Sequence, residues 1–235
     1  MLLNLDPPRT SAQKALTRVF QTLHANSCPS EYNFHMHTIY SDGRLHPEAL
    51  IQQAIEIGLR GLTITDHHSV EGYRVARRWL DERQAENPSD GSVEGSRLPI
   101  LWSGVEINAP LLDVEVHILG YGFDPDAASL REYLNGHPVT GKHYSASRTI
   151  DAIHEAGGLA VLAHPCRYRQ SAAELIPEAA RLGIDGSEAF YAYGNPYPWQ
   201  PSPQETEEVR QLNDRHGLLN TCGTDTHGLN LLKRI

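Results

Sequence analysis

Residues 33–43 read Asn-Phe-His-Met-His-Thr-Ile-Tyr-Ser-Asp-Gly, so two histidines, His35 and His37, stand one residue apart with Asp42 shortly after them. On a strand, alternate side chains project to the same side, which points both imidazoles into one place. Imidazole combined with carboxylate is the donor mixture that suits Zn, Mn or Fe. Four further apolar runs close on the same residue types: Thr65-Asp66-His67-His68, Gly104-Val105-Glu106, Ala163-His164-Pro165 and Gly223-Thr224-Asp225-Thr226-His227. A single His-x-His is a weak signal. Clusters of this kind at the ends of five apolar runs specify a metalloenzyme.

Such residues need a scaffold that brings distant strand ends together. Apolar residues Ala15, Leu16, Val19, Phe20 and Leu23 predict a helix over 11–25 with Ser11 as its N-cap. Strands are expected at 32–37, 58–65, 98–107, 114–121, 159–163 and 218–222, with Asp113 in the connection after the third of these strands. Helices are expected at 47–57, where Pro47 occupies a first turn, and at 70–82, 144–156, 172–182 and 205–215. Residues 86–92, Glu-Asn-Pro-Ser-Asp-Gly-Ser, form the most loop-like stretch. Alternating strands and helices imply a parallel sheet with helices outside it. An open doubly wound sheet gathers its ligand at one switch point, whereas a barrel draws on the C-terminal ends of many strands. The spread of polar strand ends along the chain favours the closed or nearly closed barrel.

At 235 residues, with 40% hydrophobic and 21% charged residues, the chain has the composition of a soluble globular domain. Its formal charge of -9 argues against a broad electrostatic surface for duplex DNA, RNA or anionic membranes. Bound divalent cations would still make the site itself positive. Cys28, Cys166 and Cys222 show no Cys-x-x-Cys spacing, residues 1–8 lack the form of a secretory signal, and no run approaches the ~20 apolar residues of a membrane span. A cytoplasmic location is expected.

The ordered set His35-x-His37, Asp42, Asp66-His67, Glu106, His117, His164 and Asp225-x-His227 resembles the polymerase and histidinol phosphatase (PHP) family of phosphoesterases. The likeness covers residues 32–231 and matches in residue type, order and strand-end placement. It implies an α/β fold, a distorted seven-stranded β/α (TIM-like) barrel with its metal site at the C-terminal ends of the strands. Residues 1–31 would then be a helical N-terminal extension and 32–235 the phosphoesterase domain. The resemblance also implies two or three divalent ions, Mn, Zn or Fe. By position, His35, His37, Glu106 and Asp225 are expected to hold one ion. Glu106, His117 and His164 would hold a second with Glu106 bridging, and Asp42, His67 and His227 a third. Glu188 matches an acidic position near the site. Asp66 is expected to orient a ligand histidine, which with Glu106 and Glu188 makes up the candidate catalytic set. His68 departs from the family pattern, where a small acidic or polar residue is common.

Taken alone, His117 reads as a core histidine, and only its position in the family makes it a ligand. His24, His46, His137, His143, His154 and His216 read as surface histidines. Arg167, following His164-Pro165-Cys166, and Arg148 on the preceding helix are candidates to grip phosphate with a guanidinium fork. The chemistry expected is hydrolysis by a metal-bound hydroxide, since metal binding lowers the pKa of water to ~7. An amidohydrolase would require a bridging lysine, and Lys14, Lys142 and Lys233 all lie away from strand ends. The expected substrates are phosphate monoesters of small nucleotides, such as nucleoside 3',5'-bisphosphates. The alternatives are 5'-3' exonuclease action on short single-stranded oligonucleotides, a histidinol-phosphate phosphatase, and a non-catalytic metal-binding regulatory module. Duplex DNA and membranes are not expected partners.

Overall fold

The structure is a computed structural model that describes residues 10–86 and 98–235. Residues 1–8 and most of the loop-like stretch at 86–92 therefore lie outside the described residues. The chain opens with α1 (Ser11–Phe20), capped by Thr10 and not by Ser11. Thr10 Oγ1 accepts from Gln13 N–H at 3.1 Å and Gln13 Oε1 accepts from Thr10 N–H at 2.8 Å, a reciprocal capping box. The helix is shorter than its apolar spacing predicts, because the chain turns after Phe20. That ring packs edge-on against Phe34 at 4.9 Å and Tyr121 at 5.7 Å, tying α1 into the main core.

Next come β1 (Tyr32–Asn33), α2 (Pro47–Ile57), β2 (Gly61–Thr63), α3 (Glu71–Glu86) and β3 (Ile100–Trp102). The helix at 47–57 lies where Pro47 and the apolar spacing place it, and Gly58 ends it in the left-handed conformation. The strands β1, β2 and β3 form a parallel sheet, with Tyr32 opposite Gly61 and Gly61 opposite Ile100. Leu50, Ile51, Ala54, Leu62, Ala76 and Leu80 make a smaller core between this sheet and α2 and α3.

The remaining elements are β4 (Gly104–Leu111), β5 (Val114–Tyr121), α4 (Ala146–Glu155), β6 (Leu159–Leu162), α5 (Ala172–Arg181), β7 (Gly186–Phe190), α6 (Pro203–His216) and β8 (Leu219–Cys222). The strands β4 to β8 form a second sheet in sequence order. It is not all parallel: β5 runs antiparallel to both β4 and β6, while β6, β7 and β8 run parallel. The reason is the short turn between β4 and β5, where Leu112 adopts a positive φ of 54° and only a hairpin can form. The single strand expected at 98–107 is interrupted at Ser103. Its hydroxyl donates to Phe123 O, and a Cβ on Gly104 would stand 2.5 Å from Ile64 O, so the chain bends to pass close over β2.

Backbone hydrogen bonds cross both gaps between the two sheets. Asp225 N–H donates to His35 O at 2.8 Å and His37 N–H to Thr226 O at 2.9 Å on one side. Across the other gap, Glu106 N–H donates to Asp66 O at 3.2 Å and His68 N–H to Glu106 O at 2.9 Å. The seams are made by the very residues that the motifs single out. Among the described residues, no helix is long and apolar enough to cross a membrane.

Candidate metal centre

Glu106 is buried near the start of β4, and its two carboxylate oxygens face different histidines. Oε2 lies 3.0 Å from His35 Nε2, 3.1 Å from His37 Nε2 and 3.6 Å from His67 Nε2. Oε1 lies 2.7 Å from His117 Nδ1 and 3.4 Å from His164 Nε2. Asp225 Oδ1 completes the first group, at 3.4 Å from His35 Nε2 and 3.3 Å from His37 Nε2. Asp42, more exposed, lies 3.2 Å from His227 Nε2, 3.8 Å from His67 Nε2 and 3.5 Å from His37 Nδ1.

Three sets of donor atoms are therefore compact enough to hold a metal ion: His35, His37, Glu106 and Asp225; His67, Glu106 and His117; and His37, Asp42, His67 and His227. Two memberships differ from the expected grouping: His67 stands with Glu106 and His117 where His164 was expected, and His37 joins Asp42, His67 and His227. The fit to a cation also shows in the hydrogen bonding. His37 Nε2 is fully buried within 3.3 Å of two carboxylate oxygens, yet it makes no hydrogen bond. A lone pair aimed at a shared ion gives that arrangement, and the donor set suits a borderline divalent metal.

The electrostatics agree. Burial alone would raise Glu106, but the surrounding imidazoles, His35 and His117 first, hold it well below the ordinary carboxylate range. Asp225 is held low in the same way, against burial, by His35 and His37. Burial opposes protonation of His37, but the carboxylates of Asp225 and Glu106 prevail and raise it to about 9. Burial lowers His67 to about 4.

A supporting layer fixes the donors. Glu188 on β7 accepts from His35 Nδ1–H at 3.1 and 3.2 Å and from His164 N–H at 3.0 Å, turning His35 Nε2 toward Glu106. A Cβ on Gly223 would stand 2.8 Å from Glu188 Oε1, so glycine keeps this contact open. The orienting role expected of Asp66 thus falls to Glu188. Asp66 instead accepts from Thr38 N–H and Thr38 Oγ1–H, both at 2.6 Å, and from Ser41 Oγ–H at 2.8 Å. It fixes the loop between His37 and Asp42, and burial raises its pKa. His68 turns away to bond Asn108 Oδ1 at 3.2 Å. His68, His164 and Asp225 all adopt positive φ, the strain expected where a backbone is bent to aim functional groups.

Arg167 reaches the cluster, with Nη1 2.9 Å from Asp225 Oδ2 and 3.1 Å from the Tyr191 hydroxyl. Arg148 does not. It lines a separate cavity of about 340 Å³ with Glu132, Lys142, His143 and Asp151, because its face of α4 turns away from the strand ends. Two residues escaped the sequence reading. Arg234 Nε and the Tyr191 hydroxyl each donate to Asp225 Oδ2 at 2.7 Å, leaving Oδ1 to face the histidines. Neither lies in a motif; Tyr191 stands directly after β7, three residues beyond Glu188.

Residues 33–137 match the family described as PHP domain. That match takes in His35, His37, Asp42, His67, Glu106 and His117 and ends before His164, Asp225 and His227. It is 26% identical to the 5'-3' exoribonuclease Rnm of Salmonella typhimurium, over 83% of this chain and 85% of that protein. It is also 26% identical to a phosphoribosyl 1,2-cyclic phosphate 1,2-diphosphodiesterase of Eggerthella lenta, over 83% of this chain and 94% of that one. A solved structure from Bifidobacterium adolescentis, assigned as a metal-dependent phosphoesterase, shares the fold with a TM-score of 0.64 at 24% identity, covering 85% of this chain and 88% of its own.

Proposed function

We propose that this protein is a PHP-family metal-dependent 5'-3' exonuclease acting on short single-stranded RNA. The observation that carries the phosphoesterase part is Glu106, one buried carboxylate whose two oxygens meet five histidines from four segments of the chain. The exoribonuclease named among its relatives supports the substrate, in place of the small monoesters the sequence favours. We read the two linked sheets as a distorted seven-stranded barrel in which β3 and β4 are one interrupted strand.

In this reading His35, His37, Glu106 and Asp225 hold one ion, Glu106 and His117 with His67 and His164 a second, and Asp42, His67 and His227 a third. Bound Mn, Zn or Fe would supply Lewis acidity that activates water and neutralises charge on the phosphoryl oxygens. The chain does the rest. Glu188 sets the tautomer of His35, Asp66 holds the loop that carries Asp42, and Tyr191 and Arg234 hold Asp225. Arg167, 37% exposed at its side chain, is free to turn from Asp225 to a substrate phosphate.

A second reading, hydrolysis of nucleoside 3',5'-bisphosphates, is favoured by the charge of -9, which suits a compact substrate. One experiment separates the two. Under a single Mn2+ condition, the protein is given a 5'-phosphorylated single-stranded oligoribonucleotide, a nucleoside 3',5'-bisphosphate and a long duplex. Stepwise shortening from the 5' end is expected, with Glu106→Gln inactive. Turnover of the bisphosphate alone would establish the second reading, and efficient internal cutting of the duplex with steep salt dependence would overturn both.

A further inference from the structure

The chain segments that border the metal cluster carry an aromatic ring that has no part in the core. Tyr197 lies in the connection from β7 to α6 and is 77% exposed. Lys233 Nζ stands 4.6 Å from the centre of its ring, a cation–π pair. The backbone of Lys233 is pinned beside the cluster. Its carbonyl accepts from Thr226 Oγ1–H at 2.7 Å, and the carbonyl of Arg234 accepts from His227 N–H at 2.7 Å. Thr226 is the residue between Asp225 and His227, and Arg234 Nε donates to Asp225 Oδ2 at 2.7 Å, so the segment that carries Lys233 borders the donors and holds Tyr197 through the cation–π pair. The same border carries Arg44, exposed, whose N–H donates to His227 O at 3.1 Å, and Tyr40, 41% exposed on the loop that bears Asp42.

We propose that Tyr197 and Lys233 form a subsite for one nucleobase and its neighbouring phosphate, close to the 5' end of a single-stranded RNA. The proposal rests on the substrate reading above. The physical case has three parts. An open aromatic ring beside a cation is the arrangement that binds single strands without base preference, since every base has a π-face. With Lys233 on one side, the ring retains most of its exposure for a base. And in a chain of charge -9, Lys233, Arg234 and Arg44 beside Asp225, Thr226 and His227 give local attraction for phosphate.

The test uses full-length, Mn2+-loaded protein and two probes: a 5'-phosphorylated single-stranded oligoribonucleotide, and the same strand made abasic at each of its first three positions in turn. Binding is followed by fluorescence anisotropy and shortening by gel. The wild type should bind one of the abasic strands about 5- to 100-fold more weakly than the intact strand. Tyr197→Ala should bind the intact strand as weakly as that abasic one and no longer distinguish them, while Tyr197→Trp restores the difference. Lys233→Ala should weaken every strand alike and flatten the salt dependence. Melting temperature and metal content should stay unchanged, given the exposure of Tyr197. Equal wild-type affinity for intact and all abasic strands, or discrimination that survives in Tyr197→Ala, overturns the subsite. Discrimination without any shortening overturns the exonuclease reading and leaves the subsite standing.

Discussion

Replacing Glu188 by glutamine tests whether metal affinity depends on a residue that touches no ion. Both carboxylate oxygens lie close to His35 Nδ1, at 3.1 and 3.2 Å, and Oε2 also accepts from His164 N–H at 3.0 Å. Glutamine keeps the shape of this fully buried side chain but has only one acceptor oxygen. If that oxygen stays on His164 N–H, the amide NH2 falls 3.1 Å from His35 Nδ1, donor facing donor. The imidazole can relieve this by moving its proton to Nε2, the nitrogen that faces Glu106 and Asp225. A proton there blocks coordination. Loss of such an orienting partner costs ~10–100-fold in metal affinity, which is ~1.4–2.8 kcal/mol. Calorimetric titration of Mn2+ or Zn2+ into chelator-treated protein measures it, with circular dichroism to confirm the fold. Affinity within twofold of wild type would refute the reasoning. A loss well beyond 100-fold, matching Glu106→Gln, would make Glu188 a ligand instead of a partner.

Arg167→Ala should raise KM for phosphorylated substrate about tenfold or more while metal affinity holds, because Asp225 Oδ2 keeps its bonds to Tyr191 and Arg234. An unchanged KM would place Arg167 outside the substrate pocket. Metal-free protein should lose stability as pH rises. His37 titrates near 9 in the folded chain against an ordinary 6.5, so its contribution is complete below pH 6.5 and is lost as pH climbs through 9. A melting temperature that stays flat or rises between pH 6.5 and 9 in chelator would contradict this, and so would metal binding at pH 8 that releases no proton.

The site was more legible in the sequence than the sheet that carries it. Candidate metal donors must be particular residue types, so His35, His37, Glu106 and Asp225 stand out where apolar runs end, whereas His117, in the middle of β5, reads as a core histidine until the family resemblance is added. Hairpin geometry does not stand out: the reversal between β4 and β5 hangs on Leu112 at positive φ, a conformation its residue type gives no reason to expect. The break at Ser103 depends on Gly104 passing over Ile64, a contact between strands far apart in sequence. The same limit explains the exchange of roles between Asp66 and Glu188. Both are buried carboxylates near ligand histidines, and only the fold decides that one meets Thr38 and Ser41 while the other meets His35. Arg148 and Arg167 are both candidates as sequence, with Arg167 favoured because it follows the His164 motif. What separates them is which way α4 and the His164 turn face.

The charge of the whole chain and the charge of a metal-loaded site would pull in opposite directions, and under the proposed exonuclease reading that opposition bears on which polyanions could enter. Three carboxylates, Asp42, Glu106 and Asp225, contribute negative charge to the donor sets. Two or three divalent ions would exceed that charge, and Arg167 and Arg234 add to the excess from the far side of Asp225. The loaded centre would therefore be a local positive well in an acidic surface of net charge -9. Such a field attracts one or two phosphates at the mouth and repels the rest of a long backbone. A strand end enters it, whereas a duplex must lay many phosphates along the acidic surface on either side. On the proposed reading, selection for termini would then follow from electrostatics, with no element needed to block the middle of a chain.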